Sequence, residues 1–231
     1  MADGRGAKIA EILVVFGVPL ALLRLAAPLA GGDPLTVQAF VWVTNVMMLT
    51  LVYLGLRLRG QGWSDLGLPV CRPTRSAVVR TAWTSVVVLF IALLAFVVGA
   101  IVAANLFGMP AASNTSGYAY MQGNLPMLLG ALAAAWVVSS LGEEVVYRGF
   151  LIRRLADMSP SPSRWAIPVI LSAVTFGFAH FSWGPTGIVQ TGFMGLALGT
   201  AYVRLGQRLW PLVFAHAYMD TALFVQMYLG T

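Results

Sequence analysis

The chain has 231 residues, of which 59% are hydrophobic and only 10% are charged, and its mean hydropathy is +0.83. An ordinary soluble domain is about 25% charged, and one membrane-spanning helix takes about 20 mostly apolar residues. We therefore predict an all-α protein, a polytopic bundle of transmembrane helices. The composition excludes a disordered chain, and the single cysteine, Cys71, excludes a scaffold of intrachain disulfides.

The apolar runs, taken in chain order, predict about seven spans. The fourth run becomes strongly polar in its last third, and the fifth is short for a full crossing. The predicted spans are residues 9–30, 35–56, 82–107, 128–155, 165–181, 187–203 and 209–229. Small residues favour close packing of helices in lipid, and the sixth span has four of them: Gly187, Gly192, Gly195 and Gly199.

The 14 basic residues are unevenly distributed, which predicts the orientation of the chain. All but Arg24, which lies inside an apolar run, cluster near the N-terminus and in residues 57–80, 148–164 and 204–208. The intervening polar segments have none, namely residues 31–34, 108–126 and 182–187. Because cytoplasmic loops carry the excess of basic residues, we expect a cytoplasmic N-terminus, with the lipid bilayer rather than a nucleic acid as partner. Lys8 is the only lysine, an arginine bias that favours a GC-rich bacterial genome and hence a bacterial plasma membrane.

Three acidic residues and two histidines lie where they are costly, inside the later apolar runs. Charged side chains within a membrane are expensive, so each is by default a functional hypothesis. They include both histidines of the chain, and we expect the five to share one site: Glu143, Glu144, His180, His216 and Asp220.

Helix geometry separates the two neighbouring glutamates. Glu144 and Arg148 are four residues apart in the favourable acid-before-base order, whereas Glu143 points about 100° away. We expect Arg148 to neutralise Glu144 and to leave Glu143 for chemistry. The alternative is that both glutamates share Arg148 in a structural role.

The same spacing recurs on two other predicted helices. Phe176 and His180 share a face of the fifth, and His216 and Asp220 share a face of the seventh. The carboxylate of Asp220 could fix the tautomer of the His216 imidazole, or both side chains could bind the same metal ion. Counted from the nearest basic residue, His180 lies about 24 Å deep and Glu143 about 15 Å, a mismatch that a tilted fifth helix would reduce.

The three pairs together resemble the CPBP family of CAAX proteases and bacteriocin-processing proteins, also called Abi. The motifs are Glu143-Glu144-x-x-x-Arg148, Phe176-x-x-x-His180 and His216-x-x-x-Asp220, in the family's order and spacing. The resemblance covers residues 125–230 as a protease core. Residues 1–124 form a separate set of N-terminal transmembrane helices with a basic loop.

The resemblance implies an intramembrane endopeptidase that cleaves membrane-associated proteins or peptides. Glu143 and His180 would activate water, and His216 and Asp220 would stabilise the oxyanion or help to hold a metal. The implied metal is divalent, with Zn²⁺ as the first candidate and Glu143, His180 and His216 as ligands. Glu144, Arg148 and Phe176 would support the site. The family's third motif commonly ends in Asn, and an ionised Asp220 cannot donate to an oxyanion.

Some other classes of membrane protein are excluded because the chain lacks their characteristic residues, and two alternatives remain open. The chain has no H-E-x-x-H zinc helix and no G-x-S-G motif, and it lacks the intramembrane lysine of a retinal pigment. A proton-coupled transporter remains open, since glutamate and histidine within spans also build proton relays. A non-proteolytic immunity or scaffold protein of the same fold is the second alternative.

Overall fold

The fold is all-helical over the residues that the computed structural model describes, which are 4–69, 72–110, 112–161 and 163–230. Cys71 lies outside the described residues. The seven long helices are α1 (Arg5–Ala26), α2 (Pro34–Leu58), α3 (Arg75–Phe107), α4 (Leu125–Ala156), α5 (Ala166–Ala179), α6 (Gly184–Arg204) and α7 (Trp210–Leu229). Short 3₁₀ turns lie between some of these helices, among them Ala27–Ala30, Ser116–Met121 and Phe181–Trp183. The predicted helical membrane bundle is thus confirmed.

Capping side chains explain where three of these helices begin. The side chain of Asp33 accepts from the backbone N–H of Thr36 (2.8 Å), so α2 starts at the following proline. Thr74 and Asn124 cap α3 and α4 in the same way. Gly108 ends α3 in a left-handed conformation (φ 61°), which a glycine adopts without a steric penalty.

Not every helix is long and apolar enough to cross a membrane alone. Four helices are long and apolar enough: α1 with its 3₁₀ turn, α2, α3 and α4. α5 and α6 meet the criterion only as a pair, which is bent by 59° at His180. Such a pair is either a broken span or a re-entrant segment, so by length and composition the described residues form four spans, or up to five. α7 is not among the helices that meet this criterion. The predicted helices are therefore present, although the fifth and sixth form one bent unit.

The basic segments meet at one end of the bundle. Lys8 donates to the backbone carbonyl of Asp157 (3.1 Å), which joins the N-terminus to the end of α4. Glu11 of α1 pairs with both Arg59 (2.6 Å) and Arg154 (3.0 Å). The N-terminal, 57–80 and 148–164 segments therefore face the same side, as their charge predicted.

The uncharged segments meet at the opposite end. The backbone N–H of Asn114 donates to the Trp183 carbonyl (2.8 Å), and that of Gly123 donates to the Tyr228 carbonyl near the C-terminus (3.0 Å). This separation agrees with the alternation of basic and uncharged loops. Which end faces the cytoplasm stays a prediction.

Small residues bring α5 and α6 into close contact on either side of the bend at His180. A side chain added at Gly177 of α5 would put its Cβ 2.6 Å from the Ile188 carbonyl oxygen of α6. Gly195 and Gly199 of α6 pack against α5 in the same way, on Ala173 and Val169. The predicted small-residue face is thus a helix interface.

We predict that Gly177→Ala lowers the free energy of unfolding by about 1–3 kcal/mol, because the new methyl group overpacks a backbone contact. Gly130→Ala is the matched control, since nothing lies within 4 Å of its added Cβ. Thermal unfolding in detergent measures both. Equal midpoints for the two variants would contradict the close approach of α5 and α6.

Candidate active site

The two glutamates lie where α4 departs from regular α-helical geometry. Residues Ala135–Ser140 and Glu144–Ile152 are π-helical, and Leu141–Glu143 lies between them. Such widened turns occur mostly as single-turn bulges within α-helices and are frequent at functional sites. Sequence spacing alone predicted a regular α-helix here. The wider turns redirect the side chains, but Glu144 still reaches Arg148.

A fully buried group of charges lies at the centre of the site. Glu144 Oε1 accepts from Arg148 Nη1 (2.9 Å) and from His216 Nδ1 (2.9 Å). The Arg148 guanidinium lies 4.2 Å from the centre of the Phe176 ring, a cation–π contact. Neither Glu144 nor Arg148 is exposed to solvent. Glu144 therefore fixes the imidazole of His216, a role for which the spacing had suggested Asp220.

Glu143 is held differently from its neighbour. Its Oε1 accepts from Asn45 Nδ2 of α2 (3.2 Å), and its Oε2 lies 3.9 Å from His216 Nε2. The carboxylate retains 13% side-chain exposure. Asn45, a neutral amide, is the side chain that holds it. Glu143 is thus the more accessible of the two carboxylates.

Asp220 completes the group on the α7 side. Its Oδ2 accepts from Ser140 Oγ (2.9 Å), and its Oδ1 lies 3.7 Å from His216 Nε2. The imidazole nitrogen not bonded to Glu144 therefore faces two carboxylates, those of Glu143 and Asp220. The structure brings these side chains together from α2, α4 and α7.

His180 ends α5 at the bend of the α5–α6 pair. Its Nδ1 lies 2.9 Å from the Phe176 carbonyl oxygen, and because a carbonyl only accepts, Nδ1 carries the proton and Nε2 keeps its lone pair. The ring packs between Phe176 and Trp183, at centroid distances of 4.8 and 5.1 Å. Because the helix is broken at His180, the depth predicted for this residue by counting along a straight helix does not apply.

Phe176 connects His180 to the rest of the site. Its ring centroid lies 6.0 Å from that of His216 as well as 4.8 Å from that of His180. Within the described part of the chain, no hydrogen bond or ion pair joins His180 directly to Glu143. A molecule that both groups contact, such as water or substrate, would have to bridge them.

Of the residues predicted to bind metal, Glu143 and His216 face each other at 3.9 Å, whereas His180 and His216 are linked through the Phe176 ring. No group of three His, Cys, Asp or Glu side chains among the described residues is arranged to hold an ion. His216 has the chemistry of a ligand, because its Nδ1 is bonded to a carboxylate and its Nε2 is directed elsewhere. Metal binding therefore stays a prediction.

Two residues that contact this site were missed by the sequence analysis. Asn45 is a polar residue inside the second span, and Ser140 precedes Glu143 by one turn of α4. Neither residue is ionisable. An uncharged amide or hydroxyl in an apolar run was the available signal.

Residues 125–222 match a protein-family model described as type II CAAX prenyl endopeptidase Rce1-like. This segment is similar to the Rce1-like family. It contains the seven residues predicted from the three motifs, so the predicted resemblance is confirmed at the level of the family, while Asn45 lies outside it. No curated protein and no solved structure matches the chain significantly. The protein is a multi-pass membrane protein with an Rce1-like segment.

We predict that Glu144→Gln lowers the free energy of unfolding by about 3–5 kcal/mol, because the buried Arg148 loses its counter-charge. Glu143→Gln is the matched control and should cost much less, since Glu143 is partly exposed and is held by an amide. Thermal unfolding of both variants in the same detergent provides the comparison. Equal losses would contradict the different roles of the two carboxylates.

Proposed function

We propose that this protein is an intramembrane endopeptidase that hydrolyses peptide bonds of membrane-associated proteins or peptides. One observation carries the proposal: Glu143, the carboxylate without an arginine partner, lies 3.9 Å from His216 Nε2 and keeps partial exposure. It does so within a segment that matches an endopeptidase family. A carboxylate with these properties can accept a proton from water.

In the proposed first step, water attacks the carbonyl carbon of the scissile peptide bond. Glu143 takes one proton from the water as general base, while the lone pair on His180 Nε2 accepts a hydrogen bond from it. A carbon–oxygen bond forms, and the carbonyl electron pair moves onto its oxygen. The product is a tetrahedral oxyanion.

In the second step, the oxyanion collapses and the carbon–nitrogen bond breaks. The proton held by Glu143 passes to the leaving nitrogen, so the carboxylate is regenerated. A protonated His216 would donate from Nε2 to the oxyanion, because Glu144 already holds its Nδ1. Asp220, which accepts from Ser140, would place a negative charge near the protonated His216 rather than donate to the oxyanion itself.

A direct test uses two quenched fluorescent peptides of the same sequence ending in a C-a-a-X motif. One carries a farnesyl group on the cysteine and the other does not. Cleavage of either by the purified protein in detergent supports the endopeptidase, and the difference between them reports whether the prenyl group is recognised. Cleavage of neither peptide would favour the transporter or the scaffold.

We expect Glu143→Gln to lower kcat about 10²–10⁴-fold, because Gln keeps the volume and removes the general base. Glu11→Gln is the control, as Glu11 lies in the ion-pair group at the basic end and not in the site. Cleavage rates of the farnesylated peptide give the measurement. Wild-type kcat in the Glu143 variant would disprove the assignment of the base.

As an alternative state of the site, in which His216 Nε2 is unprotonated, we propose that a divalent cation binds His180, His216 and Glu143, with Zn²⁺ as the first candidate. When bound, it would polarise the carbonyl or the attacking water. These side chains would have to move together around it, since they form no ready-made group among the described residues. Because Asp220 faces His216 Nε2 at 3.7 Å, it would help to hold the ion.

Asp220→Asn should then lower metal content and activity together, and added Zn²⁺ should partly restore the activity. Elemental analysis of the purified protein and peptide cleavage after chelation measure the two. Full activity of wild-type protein that has been freed of metal would end the metal proposal. It would leave the general-base proposal intact.

A further inference from the structure

The side chain of Asn45 donates its hydrogen bond to another helix, unlike several other uncharged polar residues of α2 and α3. Amides and hydroxyls in an apolar helix commonly bond to a carbonyl of their own helix one turn earlier. Five residues of α2 and α3 do this at 2.7–2.9 Å: Thr44, Thr50, Thr84, Ser85 and Asn105. Asn45 instead donates to Glu143 Oε1, at 3.2 Å and 98 positions away in sequence.

Core packing directs Asn45 toward this contact. α2 buries one stripe of residues four apart, Thr44, Met48, Val52 and Leu56, which belongs to the helix side that faces the bundle. Asn45 is adjacent to the first member of that stripe and is only partly exposed. The rotation of α2 that packs the stripe therefore also brings the amide to α4.

The chemistry of the contact suits a carboxylate that must remain reactive. Arg148 holds Glu144 with a full positive charge, so that carboxylate is neutralised. An amide N–H fixes the position of Glu143 Oε1 without a counter-charge and leaves Oε2 on the side of His216 Nε2. Small displacements of a reacting group can cost about 10²-fold in rate, so the orientation of Glu143 matters.

The geometry points to Asn45 as a positioning residue for Glu143, supplied by α2 from outside the segment that matches the family. This inference rests on the proposed function, because it assigns Asn45 a role through the proposed base. Asn45 acts on the orientation of Glu143 and has no assigned contact with substrate.

The test replaces Asn45 by Leu, which removes the donor, keeps a similar volume and suits a membrane helix. Asn105→Leu is the matched control, because the Asn105 side chain donates to a carbonyl of its own helix. With the farnesylated peptide, we expect Asn45→Leu to lower kcat about 10- to 100-fold and to leave KM within about twofold. Asn105→Leu should leave both unchanged. Asn45→Asp, which keeps the shape but exchanges N–H for oxygen, should also lose kcat.

A double variant separates positioning from a general structural effect. If Asn45 acts through Glu143, adding Asn45→Leu to Glu143→Gln should not lower kcat further. A further tenfold loss would overturn the inference, as would wild-type kcat in Asn45→Leu or Asn45→Asp. An equal loss in Asn105→Leu, or an effect confined to KM, would overturn it as well.

The same series distinguishes this inference from the proposed function. If the wild-type protein cleaves and Glu143→Gln does not, the function stands whatever Asn45→Leu does. If the wild-type protein cleaves neither peptide, the proposed function and the role of Asn45 fall together.

Discussion

The site depends on one buried interaction, the carboxylate of Glu144 between Arg148 and His216, with both contacts at 2.9 Å. A charge removed from water is tolerated only when it is paired and hydrogen-bonded. Glu144 meets that requirement for Arg148 and at the same time fixes the imidazole of His216. Because Glu144 is fully buried and its Oε1 is bonded to both Arg148 and His216, Glu143 is the carboxylate left for chemistry.

Each proposed catalytic side chain is held by one polar atom, which leaves its other polar atom available. The partners are Asn45 for Glu143, Glu144 for His216, Ser140 for Asp220 and the Phe176 carbonyl for His180. In a low-dielectric interior an unheld polar group is costly and poorly oriented. The four contacts therefore explain how groups from four helices can share one small space.

The matched segment and the N-terminal helices depend on each other. The family-like segment supplies the carboxylates and histidines, and α2 supplies the amide that reaches Glu143. At the basic end, Glu11 of α1 joins Arg154 at the end of α4. The division into an N-terminal set of helices and a protease core therefore describes sequence better than packing.

The sequence by itself determined the helical membrane class, the grouping of basic loops and the identity of the three motif pairs, because composition and residue spacing are local properties. It also paired Glu144 with Arg148, since four residues span one helical turn. Only the tertiary structure decided that Glu144 rather than Asp220 orients His216, that α5 and α6 bend at His180, and that Asn45 reaches Glu143. Those contacts depend on how widened turns and glycine-lined interfaces rotate helices against each other, which sequence spacing within one helix does not specify.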